Sequence, residues 1–278
     1  MLGILLGLAA AVLYGSSDFA GGLASRKLGS VAVNLVGGVA ATSGAWIALA
    51  LSNGPGPDVK AVVWGLIGGI GGGVGSLALY RGLARGRMSV VGPVSAVSAA
   101  VVPVVVGIAL GERPGMWAVL GVFVALPAIA LVAANGAIGR GMLGGAVTDG
   151  LVAGAAFGLM FVALAQAGDH AGLWPVASEQ TSGLVFVVAI ALKSRAPLGL
   201  SVRGLGMPIL AGVSGMAATL VYFYATHFGM LTTVAVLTSL YPAVTVVLAR
   251  VVTQERIGVM QRIGFGLSAI AVVAIAVG

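Results

Sequence analysis

No cysteine occurs anywhere in the 278 residues. Disulfide scaffolds, thiolate nucleophiles and cysteine-ligated metal centres are excluded together. Charge is nearly as scarce: Asp, Glu, Lys and Arg make up 8% of the chain, against about 25% in a soluble domain. A soluble globule of this length could not cover itself with so little charge. Alternation of apolar and polar residues is missing as well. Stretches such as 101–110 are continuously apolar, which excludes a membrane β-barrel. What is present is apolar surface, with 59% hydrophobic residues and a mean hydropathy of +1.14. It comes in blocks of about 20 residues, the length a helix needs to cross roughly 30 Å of hydrocarbon at about 1.5 Å per residue. The chain reads as an all-α integral membrane protein, multi-pass in the cell (plasma or inner) membrane.

The net charge of +7 does not point to nucleic acid. The basic residues stand in ones, twos and threes between apolar blocks, without interleaved stacking aromatics. They read as loop charge obeying membrane topology. Polar and Pro/Gly-rich punctuation predicts ten spans, near 2–22, 30–52, 61–82, 88–110, 114–135, 143–166, 173–192, 204–227, 231–251 and 258–277. The loops are too short for an appended soluble domain. The first block is as apolar as a signal peptide but lacks a basic leading region.

Shifting the chain against itself by 143 residues reveals a repeat. Gly7, Leu8 and Gly15 fall on Gly150, Leu151 and Gly158, and Gly69 and Gly72 on Gly212 and Gly215. Glu112, Arg113, Gly115 and Gly121 fall on Glu255, Arg256, Gly258 and Gly264, in a chain with only two Glu-Arg pairs. The first block recurs internally and so is read as structural. Two units are expected, 1–139 and 140–278. Five spans per unit is odd, so the second enters the membrane from the opposite side. The expected architecture is ten transmembrane helices built as two inverted five-helix repeats. Two such halves can rock about a pseudo-twofold axis to expose one central site alternately to each side, the physical basis for reading a transporter.

Several segments carry a family resemblance: the opening 13–19 (Leu-Tyr-Gly-Ser-Ser-Asp-Phe), the segment 80–84 (Tyr-Arg-Gly-Leu-Ala), and two versions of a helix, Glu-Arg, helix hairpin. On these the chain resembles the EamA-type family of the drug/metabolite transporter superfamily, over essentially its whole length. The first hairpin departs from the second, with Ala99 in the place of Pro242 and a proline instead at Pro103, so local kinks are expected to differ between the halves. The resemblance implies ten helices and the movement of small metabolites, amino acids or drugs, usually outward across a bacterial inner membrane. It adds Tyr80 to the candidate translocation residues.

Ionisable groups inside a bilayer are functional candidates by default. Glu179 leads, about six residues into the seventh span and hence roughly 9 Å deep, with Gln180, Thr181 and Ser182 beside it. It suits a substrate amine or a proton; the plainer reading is a paired carboxylate near the interface. Its counterpart in the repeat is Val36, so a symmetric two-carboxylate site is not expected. Asp18 falls four residues from the expected end of span one. It reads as an interfacial charge or local cap, or else as a gate paired with Arg81. Tyr14, Ser16 and Ser17 offer hydroxyls nearby. His227 ends span eight beside Tyr222 and Tyr224. It is an interfacial histidine in an aromatic belt, or a second gate. Ser95 matches Thr238 and Ser98 matches Tyr241 in the repeat, as cavity liners or as interhelical hydrogen-bonding groups. Glu112 and Glu255 are read as caps of the helices that follow them, or as facing the headgroups. His170, beside Asp169, reads as solvated.

The glycine-rich stretch 68–75 has no lysine and lies inside an apolar span; close helix packing fits it better than phosphate binding. Hydroxyl and aromatic candidates predict a cavity lined by spans one, three, four, six, eight and nine, with five and ten peripheral. The leading function is a secondary transporter, probed against two alternatives. An intramembrane hydrolase would use Ser214, but His227 lies 13 residues along the same span, about 20 Å away where about 3 Å is needed. A non-transporting membrane subunit would not need a duplicated architecture. No enzyme activity, cofactor or metal is implied, the expected partners are a small-molecule substrate and the lipid bilayer, and a monomer is expected. Without an ATP-binding motif, active transport would draw on a gradient.

Topology gives two answers. Of the 14 basic residues, all but Lys60 and Arg113 lie in or beside loops that follow odd-numbered spans. The positive-inside rule then puts those loops in the cytoplasm and both termini outside. The resemblance implies termini inside.

Overall fold

The computed structural model describes residues 1–84, 88–133, 143–168, 170–195, 204–252, 254 and 258–277. Among them the chain is helical, with no strand. The elements are α1 (Leu2–Leu28), α2 (Ser30–Leu51), α3 (Val59–Ala84), α4 (Met88–Ala109), α5 (Met116–Ala133), α6 (Leu143–Gln166), α7 (Trp174–Ser194), α8 (Gly206–His227), α9 (Leu231–Thr238), α10 (Tyr241–Val252) and α11 (Val259–Val277). Eight stretches are long and apolar enough to cross a membrane, counting Leu231–Val252 as one, and Val94–Ala109 and Met116–Val132 are shorter apolar helices.

Two differences from the expected boundaries have simple causes. Span one does not stop at residue 22: Ser25, Arg26 and Lys27, read as a loop, form the last turn of α1, where cations complement the helix dipole and reach the interface. Gly29, at φ 79°, then makes the reversal into α2 that a side chain would resist. Span nine is broken. Pro242 has no N–H and biases its predecessor away from helix, and the helix lapses at Ser239 and Leu240. The corresponding α4 runs unbroken through Pro103, so the halves do differ in their kinks.

Short connections make successive helices run back and forth. The face carrying Met1 and the start of α3, α5, α7 and α9 is called the terminal face, and the opposite one the far face. Small residues allow intimate crossings. A Cβ on Gly69 of α3 would land on the Glu179 carbonyl of α7, and one on Gly154 of α6 would land on the Ser95 carbonyl of α4. The stretch 68–75 is therefore a packing surface. α5 and α11 pair at the periphery as expected: Gly121 meets Ala271 and Ile275, while Phe123 and Val273 are exposed outward.

Candidate functional site

A central cavity encloses about 780 Å³, open space at its mouth included. α1 contributes Tyr14, Ser17 and Asp18; α2 contributes Asn34 and Gly37; α3 contributes Gly72, Ser76 and Tyr80. From the second half come Phe157 and Met160 of α6, Glu179 and Gln180 of α7, and Gly215 and Thr219 of α8. Residues 143 positions apart both line it: Tyr14 and Phe157, Ser17 and Met160, Gly37 and Gln180, Gly72 and Gly215, Ser76 and Thr219.

The expected lining is corrected in two spans. Among the described residues α4 and α9 contribute nothing to the lining, whereas α2 and α7 do. Ser95, Thr238 and Tyr241 are buried between helices instead, where the Thr238 hydroxyl donates to the Gly7 carbonyl at 3.3 Å. Glycines draw these helices onto their neighbours, Gly154 of α6 against the Ser95 backbone and Gly7 of α1 against Leu237. Tyr222 also lies outside the lining. It is buried, and its hydroxyl donates to the Phe161 carbonyl at 3.1 Å. Tyr224 is 40% exposed and packs by ring edge on His227. His227 sits against Phe223 with ring centroids 4.6 Å apart, away from the cavity. The histidine is not among the cavity's described lining residues, and its Nε2 is buried without a hydrogen-bond partner.

Asp18 is the largest correction. Because α1 extends to Leu28, this carboxylate lies ten residues from the helix end, about 15 Å in, and lines the cavity. It does not pair with Arg81. Arg81 reaches α6, its Nε donating to Asp149 Oδ1 at 3.1 Å, in an ion pair whose side chains are 49% and 5% exposed. Asp149 carried no signal in the sequence beyond its charge in an apolar span.

Glu179 is 4% exposed and its Oε2 has no hydrogen-bond partner. In a low-dielectric interior such a group is expensive unless something else satisfies it. Gln180 shares the cavity, whereas the other two members of the polar cluster hold helices together. Trp46 of α2 donates to the Thr181 hydroxyl at 3.0 Å, and Ser182 donates to the Leu66 carbonyl of α3 at 2.8 Å. Ser17, although lining the cavity, donates to the Ala211 carbonyl at 2.8 Å. Ser16 bonds back to Val12 within its own helix. His170 also makes an interaction; its neighbour Asp169 is outside the described residues, as are Glu255 and Arg256. The Glu112 carboxylate caps a helix, but not the one following it: it accepts N–H bonds from Leu231 and Thr232 at the start of α9.

Toward the terminal face the cavity is closed. Tyr14 and Thr219 exchange a hydroxyl hydrogen bond of 3.0 Å, and the rings of Phe161 and Tyr222 lie 4.5 Å apart beneath it. Ala10, Val176, Phe223 and Leu231 complete an apolar plug. Toward the far face the lining continues to Val33 and Tyr80, within a few residues of their helix ends.

Residues 1–134 and 146–277 each match the model of the EamA-like transporter family. No curated protein matches the sequence. Among solved structures, one described only as the crystal structure of a protein superposes with a TM-score of 0.76, covering 99% of this chain and 98% of its own at 16% identity. That likeness is one of fold.

Proposed function

The chain belongs to the EamA-like transporter family, a membrane transporter family of the drug/metabolite transporter superfamily, and on that premise we propose a secondary transporter that works by alternating access through the central cavity. Residues 1–139 and 140–278 form the two moving halves, ten spans in all, with the second half inverted. The pairs of residues 143 apart that both line the cavity support this, as does the helix pairing: α1 lies against α8 as α6 lies against α3. A shared site on a pseudo-twofold axis is what rocking halves require.

The observation that carries the reading is the unpartnered, buried Glu179 in a cavity plugged toward the terminal face. The cavity serves small metabolites, amino acids or drugs, with Glu179, Gln180, Tyr14, Asp18 and Tyr80 contacting the solute. The present conformation is the one accessible from the far face. The charge bias of the loops makes that face cytoplasmic, so the cavity loads from inside and the direction is export. The protein acts alone in the cell membrane.

Two measurements test this. Purified protein in liposomes should support counterflow of at least one member of an amino-acid and organic-cation panel, with no other protein present. A single cysteine at Ala10, fully buried in the plug, should become reactive only when the far face closes, monitored by a cysteine at Ser76. Absence of counterflow across the panel, together with invariant reactivity at both positions, overturns the proposal.

A further inference from the structure

The substrate class can be narrowed from the charges around the cavity. Two carboxylates, Asp18 and Glu179, line it, and among the described residues its lining contains no Lys, Arg or His. A zwitterionic amino acid would need a counter-charge for its own carboxylate. Arg81, next in sequence to the lining residue Tyr80, is engaged by Asp149. The helix break at Ser239 and Leu240 offers no anion site either: its N–H groups donate to the Ala235 and Leu237 carbonyls, and it is not part of the lining. An anionic group would therefore enter a site of its own sign. A hard metal ion fares no better: it needs about six oxygen ligands, and no cluster of three or more ligating side chains is present among the described residues.

A single ammonium would satisfy one carboxylate and leave the other uncompensated in a low-dielectric space, a costly arrangement. The two acids also stand at different depths. Asp18 lies ten residues from the far-face end of α1, and Glu179 lies fifteen residues from the far-face end of α7, so Glu179 is the deeper of the two by this count. Between them the walls are Tyr14, Phe157 and Met160 with the bare backbone of Gly72, surface suited to methylenes and to a cation over an aromatic face.

We propose that the cavity binds a short aliphatic dication, a primary α,ω-diamine with one ammonium on Glu179 and the other on Asp18. This rests on reading the cavity as the translocation site.

The test is calorimetric titration of the purified full-length protein with three probes of equal chain length: putrescine, n-butylamine and γ-aminobutyrate. Putrescine should bind on the order of ten- to a hundredfold tighter than butylamine, the value of one added charge-assisted hydrogen bond, and γ-aminobutyrate should not bind. Asp18→Asn and Glu179→Gln should each bring putrescine to the butylamine level. Equal affinity for the diamine and the monoamine, binding of the zwitterion, or no binding of putrescine overturns the inference. The wild-type series needs no variant, so a misfolded substitution does not rescue it. Flux separates the two readings: putrescine bound but never carried defeats the transporter and spares the diamine site. Counterflow of another solute without putrescine binding does the reverse.

Discussion

Glu112 and Leu231, 119 positions apart, are joined by a 2.6 Å hydrogen bond from the Leu231 N–H to the Glu112 carboxylate, whose second oxygen takes the Thr232 N–H at 2.9 Å. The loop after α4 thus caps a helix of the other half, on the plugged face. Two orphan N–H groups and the positive end of a helix dipole meet one anion. Glu112→Ala should destabilise the protein by about 2 kcal/mol in detergent, and Glu112→Gln by less, since one acceptor remains. Because the contact spans the halves, Glu112→Ala should also raise alkylation of a cysteine at Ala10. A melt unchanged from wild type would show that the cap is not stabilising.

The Arg81–Asp149 pair joins the halves near the far face, and its members are unequally buried, at 49% and 5% exposure. Removing the arginine strips a buried carboxylate of its guanidinium; removing the carboxylate leaves an arginine that water already reaches. Arg81→Gln should therefore cost about 1–3 kcal/mol, and Asp149→Asn less than about 1 kcal/mol. Thermal unfolding of the two variants side by side checks the order. The reverse order refutes it.

Gly69→Ala would drive a methyl group into the Glu179 carbonyl and the Ser182 hydroxyl. The expected loss is about 1–3 kcal/mol from overpacking, with transport impaired because the backbone carrying Glu179 must move. Gly266→Ala on α11 meets open space and should leave both stability and transport unchanged. Equal behaviour of the two variants would contradict the close crossing of α3 and α7.

A reporter that fluoresces only in the cytoplasm, fused to the C-terminus, tests topology. The loop charges predict dark cells, with both termini outside and the far face inside. Bright cells reverse the assignment, and with it the export direction.

Eight of the spans were readable, to within a few residues at most ends, from apolar run length and polar punctuation, because twenty apolar residues admit few alternatives in a bilayer. Which side of a span faces the cavity was not. In a soluble helix, polar residues mark the wet side. Here both lipid and neighbouring helices are apolar, so a hydroxyl such as that of Thr238 is as much at home bridging to the Gly7 carbonyl as lining a cavity. Tyr14, Asp18, Tyr80, Glu179 and Gln180 were found by charge, by the polar cluster and by resemblance. Asn34 and Thr219 were missed, since a lone polar residue in α2 or α8 carries no pattern. Asp18 was found but misjudged in depth, because basic residues were taken to end a helix that they in fact complete.

The residue 143 positions after Asp18 is Phe161, and the one 143 before Glu179 is Val36. The two ends of the pathway are thus built on the same plan from unlike side chains. On the proposed route a cation at the far-face side meets a carboxylate, where the matching point toward the terminal face carries the ring packed on Tyr222. A carrier with such unequal ends is expected to half-saturate at a lower cation concentration on one side than on the other, while net flux still follows the gradient that drives it.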